Sequence, residues 1–252
     1  MTLGVRSRPI PVSICFGLAF AVLGAVFAPR AEANTVVVGP HGNPIAALPT
    51  ATGPRYVIGV MGGAGKVVRP DVSKAVAALG TAIAKSGHVT LTGACPGYPH
   101  EALRAAKAAG GLTVGISGYG NRKDHVASGA PTDSFDVIQY TSLPAAQRGQ
   151  VRPNYMGREI DNIERSNALI FAGGRSGTLG EFAIAYEEGR PIGVLTGSGG
   201  VTDEIKHMVK VMAKEGKPPR AAIVYDSDPK RLVHRLIKAT EKKHDKNWNR
   251  EG

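Results

Sequence analysis

Three short runs of glycine carry the first chemical signal in this chain: Gly62-Gly63-Ala64-Gly65, Gly93-Ala94-Cys95-Pro96-Gly97 and Gly173-Gly174-Arg175-Ser176-Gly177-Thr178. Each follows a short apolar run and precedes a helical pattern. Glycine lets backbone N–H groups approach an anion closely, and a helix starting just beyond adds its partial positive charge. One such turn is ordinary in any βα unit. Three in the same chain point to a phosphate-bearing ligand, with Gly62, Gly63, Gly93, Gly97, Gly174, Ser176 and Gly177 in the cradle. Two charged residues, Glu181 and Arg158, are candidates for a site role beside these runs. Glu181 falls three residues after Thr178, where a carboxylate either serves the ligand or complements a helix N-terminus. Arg158 is either a second site residue or a surface helix charge.

Named nucleotide motifs fit poorly. A Walker A loop ending at Gly65-Lys66 needs glycine at Val60 and Ser or Thr at Val67, and a GxGxxG starting at Gly63 fails at Val68. Gly174-Arg175-Ser176-Gly177 has the outline of a nucleophile elbow, but its last glycine is Thr178, and neither His207 nor His234 is marked out as a base. The seven histidines are scattered and no HExxH occurs, so no metal and no resident cofactor are expected. The charge of +11 favours anionic partners, yet the basic residues are spread out except in the tail Lys238 to Arg250. With no RNP motif, zinc-finger spacing or basic-aromatic alternation, the expected partner is a small phosphorylated molecule and not nucleic acid.

The elements that must hold these loops follow from the pattern of residues 55–240. Apolar runs at 56–60, 88–91, 112–116, 135–139, 168–171, 192–195 and 221–224 read as strands. Between them, helical spacing appears at 71–85, 101–109, 156–165, 179–188, 203–214 and 229–242, with 117–133 left as a polar loop. Short strands alternating with longer helices predict an α/β fold: a doubly wound, mainly parallel, Rossmann-like sheet forming a single domain. In such sheets the ligand lies beyond the carboxyl ends of the strands, where all three glycine runs fall.

Residues 1–33 read as an export signal. Arg6 and Arg8 precede an uncharged run from Ile14 to Ala28, and Ala31-Glu32-Ala33 offers a cleavage site before Asn34. The run is short of the roughly 20 residues of a membrane span. Export to the periplasm or beyond, without a stable span after cleavage, is therefore expected; an uncleaved membrane anchor is the alternative. Cleavage would lower the charge to +9 and leave Cys95 as the sole cysteine. Residues 34–54 read as a linker and 241–252 as a charged tail.

Taken in order, these segments resemble the lysine-decarboxylase-like Rossmann family, which includes the Lonely guy (LOG) phosphoribohydrolases and relatives similar to molybdenum-cofactor carriers. Thr92-Gly93-Ala94-Cys95-Pro96-Gly97 resembles that family's TGGGPG loop, with Glu101 opening the next helix. Residues 109–116 resemble its AGGLVIGI strand, and Gly173 to Glu181 its PGGxGTxxE signature. The family's arginine falls on Arg158. The chain departs at Gly173 (proline in the family), at Arg175 (glycine), at Glu159 (lysine in the LOG enzymes) and by one extra residue in Tyr98-Pro99-His100. These departures bring it nearer the carrier-like branch. The resemblance implies binding of a nucleotide or phosphorylated nucleotide-derived ligand, with Thr178 and the glycine amides on the phosphate and Glu101 and Arg175 as further binding residues. In an enzyme, Glu181 and Arg158 would be catalytic and the N-glycosidic bond of a nucleoside 5′-monophosphate would break. In a carrier, the same residues would only bind. The resemblance also implies a homodimer. Lysine decarboxylation is not expected, since only Lys66 adjoins the three loops and a pyridoxal enzyme needs a dedicated Schiff-base lysine.

Overall fold

The computed structural model describes residues 55–65, 69–141 and 153–251, with side chains through His244. The signal segment, the linker and Lys66 lie outside the described residues. Seven strands form: β1 (Val57–Gly62), β2 (Val89–Thr92), β3 (Thr113–Ser117), β4 (Val137–Tyr140), β5 (Ala168–Ala172), β6 (Ile192–Leu195) and β7 (Ile223–Asp226). Between them run α1 (Pro70–Lys85), α2 (Tyr98–Ala108), α3 (Arg122–Ala127), α4 (Tyr155–Glu164), α5 (Ser176–Glu187) and α6 (Gly200–Lys214), and α7 (Pro229–Glu251) follows β7. All strand pairs are parallel, in the order β4-β3-β2-β1-β5-β6-β7. This is the doubly wound, Rossmann-like sheet expected from the sequence. The order reverses between β1 and β5, which pair from Ile58↔Ala168 to Gly62↔Ala172, so the crevice for a ligand opens beyond these two strands.

Alternation along the central strands divides the core in two. Ile58 and Val60 of β1 and Ala168 and Ile170 of β5 pack beneath α1 and α7 with Val76, Leu79, Leu232 and Leu236. The opposite face carries Phe171, which meets Phe182 of α5 edge-on at 5.9 Å. Met61 has the same parity as Phe171 and reaches Asn162 of α4 (Asn162 Nδ2 to Met61 Sδ, 3.6 Å). The sheet therefore aims the end of β1 at α4 and α5.

Some element bounds differ from the expected ones for physical reasons. Helices α2, α5 and α6 each begin about one turn before their apolar spacing does. The buried residues of these first turns, Tyr98 with Pro99, Thr178 and Thr202, are too few and too mixed in polarity to show a hydrophobic period. Gly97 (φ +98°) and Gly199 (φ +80°) supply the left-handed residue before α2 and α6. The loop 117–133 contains the short helix α3, capped by Asn121, whose side chain accepts from the Asp124 N–H. Beyond Lys242, α7 continues through the charged segment to Glu251. Among the described residues no helix is long and apolar enough to cross a membrane.

Candidate functional site

The three glycine runs converge on one cleft of ≈ 160 Å³ at the carboxyl edge of the sheet. From the first come Gly62 and Ala64, from the second Gly93 and Cys95, and from the third Arg175, Ser176, Gly177 and Thr178. Arg158 of α4 and Glu181 of α5 complete it, with Met61 and Pro99 as apolar wall.

Helix α5 presents its N-terminus to this space. No side chain caps it, and the amides of Ser176, Gly177 and Thr178 take no hydrogen bond among the described residues; pairing resumes with Leu179 N–H to Arg175 O at 3.0 Å. The Thr178 side chain is buried, lines the cleft and has no hydrogen-bond partner among the described residues. Gly174 makes room for it, since a Cβ there would stand 2.1 Å from Thr178 Oγ1. Arg175, at the N-cap, is exposed at the cleft mouth and forms no ion pair among the described residues. Free amides, a free hydroxyl and a free guanidinium around one helix terminus form an anion-binding set.

The inner end has a different character. Glu181 is buried, and Asn162 Nδ2 donates to its Oε1 at 3.0 Å. Burial pushes the Glu181 carboxyl up to about 7; the Arg158 guanidinium and the Asn162 hydrogen bond oppose the rise, and Glu159 adds to it. Arg158 Nη2 stands between two carboxylates, 3.9 Å from Glu181 Oε1 and 3.6 Å from Glu159 Oε1. Its Nη1 donates to Gly93 O at 3.4 Å and lies 3.9 Å from Cys95 Sγ. Tyr155 lies beneath the guanidinium, 5.7 Å from ring centre to Cζ. Gly93 has to be glycine for this arrangement, because a Cβ would fall 2.1 Å from Arg158 Nη1. Ala94 holds φ +48° in the same loop, a conformation unusual outside glycine. Burial raises the Cys95 thiol above its ordinary range although Arg158 opposes it, so the thiol stays protonated near neutrality. Among the described residues no cluster of His, Cys, Asp or Glu could hold a metal ion.

Of the residues marked out by the sequence, the structure brings Gly62, Gly93, Arg158, Arg175, Ser176, Gly177, Thr178 and Glu181 to the cleft. Gly63 and Gly97 act behind it: Tyr98 N–H donates to Gly63 O at 2.9 Å, and a Cβ on Gly97 would meet that oxygen at 2.3 Å. Gly174 shapes the turn as described. Glu101 does not line the cleft and pairs instead with Arg104 at 3.7 Å on α2. Two contributors escaped sequence reasoning. Asn162 lies one helical turn after Arg158, an i,i+4 spacing that places both on one face of α4. Glu159 packs its carboxylate into a notch on α5, where Cβ atoms at Gly177 and Gly180 would stand 3.3 and 3.2 Å from its oxygens.

Comparison with known proteins places this chain among relatives. The model of the SLOG cluster4 family matches residues 55–233. An uncharacterized protein of Archaeoglobus fulgidus is 32% identical over 117 residues, spanning 46% of this chain and 66% of that protein, a little under two thirds of its length. The crystal structure of TM1055 superposes with a TM-score of 0.59 at 23% identity, covering 73% of this chain and 99% of that one. The molybdenum cofactor binding protein of Rippkaea orientalis gives 0.54 at 27% identity, with 73% and 96% covered. The molybdenum cofactor carrier protein of Chlamydomonas reinhardtii gives 0.54 at 26%, with 73% and 99% covered.

Proposed function

Starting from the fact that this chain belongs to the SLOG cluster4 family, we propose that it binds a nucleotide or a phosphorylated nucleotide-derived ligand in the cleft, and that Glu181 serves hydrolysis of the N-glycosidic bond of a nucleoside 5′-monophosphate. The observation that carries this reading is one helix bearing both functions. The first turn of α5 offers free amides and the Thr178 hydroxyl to a phosphate, and Glu181 stands in the cleft one turn further on. The phosphate sits at the mouth, with Arg175. The sugar reaches inward to Glu181, whose carboxyl titrates near neutrality, where an acid–base group is most effective. As the base departs, Glu181 orients water or stabilises the oxocarbenium-like ribose, for the reason O-glycosidases use carboxylates. Arg158, 3.9 Å from that carboxyl, offsets developing charge. Calorimetric titration with a panel of nucleoside 5′-monophosphates, beside an assay for released base, tests the reading. Micromolar to millimolar binding of at least one is expected; no binding by any of them would remove the proposal.

The second reading is a carrier that binds without turnover, favoured by the likeness to the Rippkaea and Chlamydomonas proteins. The anion-binding set would hold the phosphate of such a cofactor equally well. In that case the wild type releases no base, and loss of Arg175 or Arg158 weakens binding.

Export with cleavage after Ala33 belongs to the same proposal, and N-terminal sequencing from the native source should begin at Asn34. So does a homodimer, supported by the exposed Tyr155 (56%), Met156 (77%) and Ile160 (45%) on α4 beside the site. Light scattering at micromolar concentration should return the dimer mass, and a monomer mass would contradict it.

A further inference from the structure

Asn162 is fully buried on α4, and its side-chain amide is used in an uneven way. Nδ2 donates to Glu181 Oε1 at 3.0 Å and approaches Met61 Sδ at 3.6 Å, whereas Oδ1 is sealed from solvent with no partner among the described residues. A leucine has the same heavy-atom branching and would leave no buried carbonyl unpaired, so packing alone does not explain an amide here. Its orientation has one evident use. Turned over, Oδ1 would face Oε1, and two acceptors would oppose each other unless the carboxyl carried its proton. The amide is therefore set to the charge state of Glu181.

The charged groups around Glu181 are divided in their effect. From α4 come Arg158 and Glu159, and from the β2–α2 loop comes the Cys95 thiol; β1 contributes only the uncharged Met61. Arg158 serves both Glu159 and Glu181 through one nitrogen, at 3.6 and 3.9 Å. The Asn162 contact is shorter, and Glu159 has no share in it. Oε2 of Glu181 takes no hydrogen bond among the described residues and is not sealed as Asn162 Oδ1 is.

We propose that Asn162 is the positioning residue for Glu181: its amide fixes Oε1 and leaves Oε2 to meet the ligand. The ligand group entering the inner end is then a hydrogen-bond donor or a centre of developing positive charge, such as a ribose hydroxyl or the anomeric carbon, while the phosphate remains at the mouth. The importance of Glu181 to the ligand rests on the function proposed above; the contact itself does not.

The test is a pH titration of Glu181 by carbon NMR, in wild type, Asn162→Leu and Asn162→Asp, without ligand. Losing a hydrogen bond to the charged form should raise the wild-type midpoint, about 7, by about one unit in Asn162→Leu, and further in Asn162→Asp. The wild-type Asn162 side-chain N–H resonances should move with the same midpoint as Glu181, a readout that needs no variant to fold. A residue with a purely structural role would lower the unfolding temperature and leave the midpoint in place. A midpoint unmoved in a folded variant, or Asn162 resonances that stay flat through the titration, would overturn the proposal. A shifted midpoint in a protein that binds no nucleotide would uphold the positioning role and remove only the functional reading.

Discussion

Replacing Gly93 by alanine should disturb the cleft through a residue far away in sequence. The new Cβ would lie 2.1 Å from Arg158 Nη1, 3.0 Å from Cζ and 3.2 Å from Cδ, so the guanidinium must retreat by about 1.3 Å to reach ordinary contact. The side chain can move, being the far end of a flexible chain, but Arg158 is only 11% exposed and its neighbours fix where its charge is balanced. Retreat breaks the bond to Gly93 O and changes the approach to Glu181 and Glu159. Overpacking of this kind costs about 1–3 kcal/mol, or roughly 2–10 °C in unfolding temperature for a domain of this size. The Glu181 midpoint should rise too, since Arg158 no longer opposes the effect of burial. A double-mutant cycle isolates the cause. On an Arg158→Ala background the Gly93→Ala change should cost less than about 0.5 kcal/mol, giving a coupling of about 0.5 kcal/mol or more. Thermal or urea denaturation of the four proteins measures it. Equal costs on both backgrounds would refute the collision, and with it the claim that Gly93 exists to seat Arg158.

Three other outcomes are expected. Arg175→Ala should leave the unfolding temperature within about 1 °C and weaken nucleotide binding by about 1–3 kcal/mol in calorimetry, through loss of a charge-assisted phosphate contact. Cys95→Ala should keep affinity within a few-fold, and complete loss of binding would give the thiol a role beyond the wall it forms. His88 is buried, and its Nδ1 accepts from the Tyr56 N–H at 3.3 Å. Burial, with Arg55 nearby, lowers it from 6.5 to about 4. Unfolding lets it protonate more readily, so its stabilisation is full above pH 6.5 and is lost as pH falls through about 4. The loss is about 1–2 kcal/mol after allowance for solvent screening. Denaturation of wild type and His88→Gln across that window should show the variant with the flatter profile.

The central strands were legible as buried apolar runs, as at Leu169-Ile170-Phe171, and the edge strands β4 and β7 as short runs of β-branched and aromatic residues that are only partly buried. The first turns of α2, α5 and α6 were not, because their buried residues, Tyr98 with Pro99, Thr178 and Thr202, set no hydrophobic period. Gly62, Gly93, Arg175 and Thr178 could be read from the glycine runs, since a close backbone approach demands glycine whatever surrounds it. Glu181 stood out by its charge just after the third run, and Arg158 through the family resemblance. Glu101 has the same charge but lies on the outer side of α2, and only the helix rotation separates the two cases. Asn162 and Glu159 have no signal of their own: a neutral amide in the middle of a helix, and a glutamate that fits a notch left by Gly177 and Gly180 on another element, acquire meaning only when α4 and α5 are packed.

The role of Glu181 in hydrolysis is tested by comparing wild type with Glu181→Gln for release of free base from nucleoside 5′-monophosphates, with binding measured on the same samples. The wild type should release base, the variant should be slower by about 10²-fold or more, and ground-state affinity should change little, as for a carboxyl that acts chiefly in the transition state. Unchanged turnover in the variant, or nucleotide binding by neither protein, would contradict that role.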